Sequence, residues 1–169
     1  MPADEISRAF LDYSVTRLAQ LQGTISACCD RLSEDQMAHR GADHENSIKN
    51  LLLHMTGNLR QWILHGIGNA PDIRERDAEF ALEATPSASE LRRDFDLALN
   101  EAMQVIAAVT PEHLLTIIDP QPTGKHRHPT TLVAIYKVVG HVEHHTGQII
   151  ILTKQLAGTD LNLSMPRKR

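Results

Sequence analysis

Aromatic residues make up only 4 % of this 169-residue chain, and cysteine occurs twice. So few rings leave little material for stacking on nucleic-acid bases. Cys28 and Cys29 are adjacent on an expected helix, a poor geometry for bridging each other, so a disulfide framework is excluded. Both read as small helix-packing residues, which suits a protein of a reducing cytoplasm. No apolar run approaches the roughly 18 residues of a membrane span. Positive charge is in deficit too: the formal net charge is −4, and the basic end Arg167-Lys168-Arg169 is too short to make a nucleic-acid surface. The acidic start, from Met1 to Glu5, lacks the basic and apolar segments of a signal peptide. There is no internal repeat, low-complexity tract or dividing linker, and the length suits one domain spanning 1–169 with a core that needs no staples.

What the chain does have is helical periodicity and ten histidines. The first helix is expected from about Asp4 to Leu32, followed by an aperiodic stretch over 33–45. Asn46 or Ser47 can cap a second helix running to Ile67, with Ile48, Leu51, Leu52, Met55, Leu59, Trp62 and Ile63 as its apolar stripe. Its other face, with His54, Gly57, Asn58, Gln61 and His65, carries no formal charge. Solvated helix faces usually show Lys and Glu, so this strip reads as a pocket lining. The charge-dense connection over 72–80 reads as a solvated loop stapled by Phe80, with Arg74 and Arg76 as weaker candidates for an anionic ligand. Ser87 and Glu90 form a capping-box pattern for a third helix reaching about Val109. Within the proline-rich segment 110–129, the run 114–118 could pair as a short strand, and His126 and His128 read as surface histidines. Thr130 or Thr131 then opens a last helix over 131–156. Four helices joined by three long connections describe an all-α four-helix bundle in which at least one connection crosses the bundle's end.

On the last helix, Ile135, Val138, Val142, Ile149, Leu152 and Leu156 form one stripe, with His145 in its middle and His141 one turn earlier. Side chains at i and i+4 stack, so both imidazoles can reach a common point, while Glu143 projects the other way into solvent. Two imidazoles facing an apolar core each need a partner, and a divalent cation satisfies both at once. His54, on a facing helix, is the candidate third nitrogen. Three protein ligands leave room for water or substrate, the arrangement of a catalytic site. The set departs from the His-Glu-x-x-His of zincins and from the Glu-x-x-His pairs of di-iron bundles. A nitrogen-rich set suits zinc, nickel, iron or copper.

The segments LLLHMTGNLRQW (51–62) and HVEHHTGQ (141–148) resemble the two signature stretches of the DinB/YfiT-like metalloenzyme superfamily. The resemblance covers nearly the whole chain, and the charged loop from Arg74 to Phe80 narrows it to a branch of unknown function. It implies a four-helix bundle with a long crossover, often a homodimer, and a metal held by three histidines matching His54, His141 and His145. Relatives include thiol S-transferases and an isomerase whose metal activates a low-molecular-weight thiol. By analogy, the metal here would activate a thiol or water for transfer to, or hydrolysis of, a small substrate. Asn58 and Gln148 would orient ligands or substrate, unless they are bundle-packing amides, and Tyr13 and Arg17 could close the pocket from the first helix. The rival expectations are a non-catalytic bundle and a scaffold with vestigial histidines. The former would hold a structural or sensory metal through a fourth ligand (His65, His144 or Gln148). Neither charge nor motif supports a nucleic-acid partner.

Overall fold

A computed structural model describes residues 2–80, 86–118 and 128–163. Among these, the architecture is all-α. Helix α1 spans Pro2–Cys29, a short α2 spans Glu34–Ala38, α3 spans Ile48–Leu59, α4 spans Ala88–Ala108 and α5 spans Thr131–Ala157. Helix α1 packs against α4 and α5, and α3 packs against the same two. So α1 and α3 stand on one diagonal of the bundle, and α4 and α5 on the other. The connections α1–α3 and α4–α5 therefore each cross between diagonal positions, while α3 and α4 are neighbours. The crossover expected from connection length is present. No helix among the described residues is long and apolar enough to cross a membrane.

Local chemistry starts these helices. The Ser47 hydroxyl accepts from Asn50 N–H and the Asn50 side chain returns to the Ser47 backbone, a reciprocal cap that fixes the entry of α3. Ser87 and Glu90 do the same for α4, and Thr130 caps α5. Helix α5 ends at Gly158, whose φ of 62° places it in the left-handed region that a side chain would strain. Leu11, Leu18, Leu52, Met55, Phe95, Leu99, Ile106 and Ile135 are fully buried where the four long helices meet.

Three expectations need correction. The aperiodic stretch 33–45 contains α2, capped by Ser33 and anchored by buried Met37. Residues 111–115 form a 3-10 turn started by Pro111, whose fixed φ favours a turn over a strand. Only Ile117 then pairs, in one antiparallel bridge to Thr130, so no strand forms there. The second helix does not stay α: Arg60–His65 is a π-helical segment, with Gly66 N–H donating to Gln61 C=O and Gly68 N–H to Ile63 C=O. Such a widened turn rotates all that follows it relative to α3, and π segments recur at functional sites. His128 is exposed as expected, and His126 lies outside the described residues.

Candidate metal centre

His54 comes from the middle of α3, and His141 and His145 from consecutive turns of α5. One ring nitrogen from each of these three residues lies within 4.8 Å of the other two, with His54 buried and the other two half-buried. The Nε2 atoms of His54 and His141 are 3.0 Å apart, and those of His141 and His145 are 3.1 Å apart.

The opposite ring nitrogens determine which atoms face inward. His54 Nδ1 lies 2.7 Å from Glu79 Oε2. An ionised carboxylate has no proton to offer, so the imidazole donates through Nδ1–H, and in the neutral ring that tautomer puts the lone pair on Nε2. Arg74 Nη2, 3.3 Å from the same Nδ1, is then a neighbour and not a donor to it. His145 Nδ1 lies 2.6 Å from the Gln148 carbonyl oxygen, which likewise draws the proton to Nδ1 and leaves Nε2 free. Two lone pairs thus point at His141 Nε2. A proton there can serve only one of them, and His141 Nδ1 is buried without a partner.

Burial, with His145 and His54 alongside, pushes the His141 imidazole down to about 3, so it is neutral at physiological pH. Burial also lowers His145, although its bond to Gln148 opposes the shift. Converging neutral imidazoles with inward lone pairs are the state a metal ion requires. Two nitrogens bonded to one ion at about 2.0–2.1 Å, with angles of roughly 90–110°, stand about 2.9–3.4 Å apart, and both short separations fall in that range. The chemistry of the donor set and these two separations suit a divalent transition metal, and the third pair, within 4.8 Å, closes on an ion by a small inward shift of the rings.

Glu79 was missed as a site residue, and Arg74, expected as a weaker candidate for an anionic ligand, is instead engaged with Glu79. The connection over 72–80 is only partly the solvated loop expected. Its exposed members include Glu75, Arg76 and Asp77, but the Arg74 and Glu79 side chains are 4 % and 7 % exposed. Arg74 grips Glu79 with two donors, Nε to Oε1 at 2.6 Å and Nη2 to Oε2 at 2.8 Å. Burial raises the Glu79 carboxyl, but the bonds from Arg74 and His54 outweigh it and hold the group below the usual carboxylate range. Phe80 staples the loop as expected, its ring centroid 4.9 Å from that of His54.

The uncharged strip on the second helix has two tasks. His54 and Asn58 line a cleft, in keeping with the pocket reading. Gly57, Gln61 and His65 instead seat the returning loop. Gln61 donates to Asp72 and accepts from Arg74, both at 3.0 Å, and His65 Nδ1 bonds the Ala70 carbonyl at 2.7 Å. Gly57 is bare because a Cβ there would run into Glu79 Oε1 and lie 2.9 Å from Arg74 Nε. The one signal in the sequence was a polar helix face without charges beside a loop with too many.

The cleft has a volume of about 520 Å³ and is bounded by Asn58, Trp62, Arg74, Arg76 and Lys137 as well as His54 and His141. Tyr13 and Arg17 do not line it. Tyr13 is exposed, and Arg17 pairs with Glu143 across α1 and α5. Glu143 is exposed as expected, but it has this partner. Asn58 Oδ1 is buried without a partner at the cleft wall.

The bundle with its histidine cluster has the all-α DinB-like fold. It is similar to a conserved protein from Enterococcus faecalis, with TM-score 0.69 over 88 % of this chain and 97 % of that one at 14 % identity. It is similar as well to a DinB-like protein from Bacillus cereus ATCC 10987, with TM-score 0.60 over 86 % and 89 % at 21 % identity. At such identities the likeness carries the fold alone. No curated protein matches the sequence. The chain belongs to the DUF1572 family, described as proteins of unknown function, whose family model matches residues 5–169.

Proposed function

We propose that His54, His141 and His145 hold a divalent transition metal, and that the protein is a metal-dependent enzyme acting on a small molecule in the adjoining cleft. Convergence of the three Nε2 atoms, two of them turned inward by Glu79 and Gln148, carries this reading. A metal bound there supplies Lewis acidity, lowering the pKa of a thiol or water so that it becomes a nucleophile at neutral pH. The reaction class is thiol transfer to, or hydrolysis of, a small electrophile.

The chain's own groups have definite tasks. Glu79 holds the Nδ1 proton of His54 and raises the basicity of Nε2, as carboxylates behind ligating histidines do. Arg74 fixes that carboxylate, and Gln148 fixes the His145 ring. The Asn58 side chain lines the cleft beside the cluster and would orient a guest there. Among the described residues no fourth histidine, cysteine or carboxylate joins the cluster, which favours an open site over a structural one. Of the three alternatives for a fourth ligand, His65 is bound to Ala70, Gln148 to His145, and exposed His144 stands beside the His145 ring outside the cluster. A homodimer in the cytoplasm belongs to the same proposal and is read by light scattering on the purified protein.

Elemental analysis of untagged protein tests the metal. About one equivalent in the wild type, lost in His145→Ala and His54→Ala, is expected. Metal-free wild type that takes up none of zinc, nickel, iron or copper would overturn the proposal. Metal retained without turnover across a panel of thiols and electrophiles would leave the structural reading in its place.

A further inference from the structure

Three cationic side chains border the cleft, and among the described residues one of them is paired with a carboxylate. Arg74 is paired with Glu79. Arg76 and Lys137 have no carboxylate partner among the described residues and rest instead on aromatic faces. The Arg76 guanidinium lies 5.1 Å from the Phe80 ring centroid, and Lys137 Nζ lies 4.3 Å from that of Trp62. A ring face orients a cation without cancelling its charge. Among the described residues, both of these cations therefore face the cleft without a counter-charge. No acidic side chain borders the cleft among the described residues, and the nearby carboxylate of Glu79 has both oxygens engaged.

The spacing is also specific. Lys137 stands four residues before His141 on α5, and Asn58 stands four residues after His54 on α3. Side chains four apart on a helix are stacked roughly 5–6 Å from each other. Helix α3 thus brings His54 and Asn58, and α5 brings His141 and Lys137, each pair one turn apart, to the same cleft.

We propose that the guest of this cleft is a small organic oxyanion, its charged group held by Lys137 and Arg76 with the Asn58 side chain lining the space beside it. The inference rests on the reading of the histidine cluster as a metal centre, because that centre defines where the guest's reacting atom lies. The anionic group sits about one helical turn, roughly 6 Å, from the cluster, which selects a short carboxylate or phosphate ester over a long-chain one. A neutral guest of the same size leaves both cations without a partner and binds more weakly.

Trp62 is the only tryptophan in the chain and touches both Lys137 and the cleft, so its fluorescence reports occupancy. The test titrates zinc-loaded protein with matched thiols: 3-mercaptopropionate, 2-mercaptoethyl phosphate, neutral 2-mercaptoethanol and cationic cysteamine. At least one anionic thiol is expected to bind about tenfold or more tighter than the neutral one, the usual worth of a charge-assisted hydrogen bond, and cysteamine weakest of all. The carboxylate and phosphate arms tell the two oxyanions apart. Lys137→Met and Arg76→Gln should each reduce the preference, Lys137→Arg should keep it, and added salt should shrink it. Equal binding of all four thiols, or a preference untouched in the Lys137→Met/Arg76→Gln double variant, overturns the inference. Metal content measured on the same samples separates the two claims. Metal bound without anion preference defeats only the guest assignment, whereas no bound metal defeats the centre itself.

Discussion

Replacing Glu79 by Gln keeps the shape of the side chain and removes its charge. In the wild type that carboxylate accepts from His54 Nδ1 at 2.7 Å and from Arg74 at 2.6 and 2.8 Å, with the Arg74 and Glu79 side chains almost wholly buried. An amide can accept from one of these donors, but its NH₂ must then face another. The buried guanidinium loses its counter-charge, a defect that costs about 3–5 kcal/mol when one partner of a buried pair is removed. The His54 ring loses the group that holds its tautomer, a change that typically lowers metal affinity 10–100-fold, or about 1.4–2.7 kcal/mol. The two effects separate by assay: urea denaturation with chelator present reads the first, and competition against a chromophoric zinc chelator reads the second. The pH dependence supplies a further check. The folded-state pKa of Glu79 is depressed, so its contribution is present above the unfolded value of about 4.3 and is lost as pH falls through the folded value. The wild type should therefore lose more stability than Glu79→Gln on acidification below about pH 4.3. Zinc affinity within about a factor of two of wild type, in a variant with unchanged circular dichroism, would refute the role assigned to Glu79.

Gly57→Ala puts a methyl group against the Glu79 carboxylate and Arg74 Nε, so it should destabilise by about 1–3 kcal/mol and weaken zinc binding although it touches no histidine. Denaturation and chelator competition read both. Gln148→Leu removes the acceptor from His145 Nδ1 at an exposed position; zinc affinity should fall about tenfold with urea stability nearly unchanged, and Gln148→Glu should restore it. Ser47→Ala breaks the reciprocal cap that also positions Asn50, whose side chain donates to the Glu79 carbonyl at 2.9 Å. A loss of about 1–2 kcal/mol in denaturation is expected.

Helix positions and caps were legible in the sequence because they depend on neighbours a few residues apart. Ser87 caps where its residue type said it would, the pairs Asn46/Ser47 and Thr130/Thr131 resolve to Ser47 and Thr130, and the stacking of His141 on His145 follows from four residues of helix. The long crossover was legible too, from connection length alone. The choice of His54 as third member came from its uncharged surroundings and from resemblance. The structure then placed its Nε2 atom 3.0 Å from that of His141.

Only the tertiary structure decided what surrounds that cluster. Glu79 lies 25 residues beyond His54, and nothing local marks one glutamate of an acidic loop for burial. Its neighbours Glu75 and Asp77 look equivalent in the sequence but remain in solvent. The difference is made where the loop returns to α3 and finds Gly57 without a side chain and Gln61 with two free hydrogen-bonding groups. The π segment and the seating of Lys137 on Trp62 are decisions of the same kind. Periodicity reports energies between residues within a turn or two of each other. A buried charge pair is set instead by which distant segments meet and whether water is excluded between them.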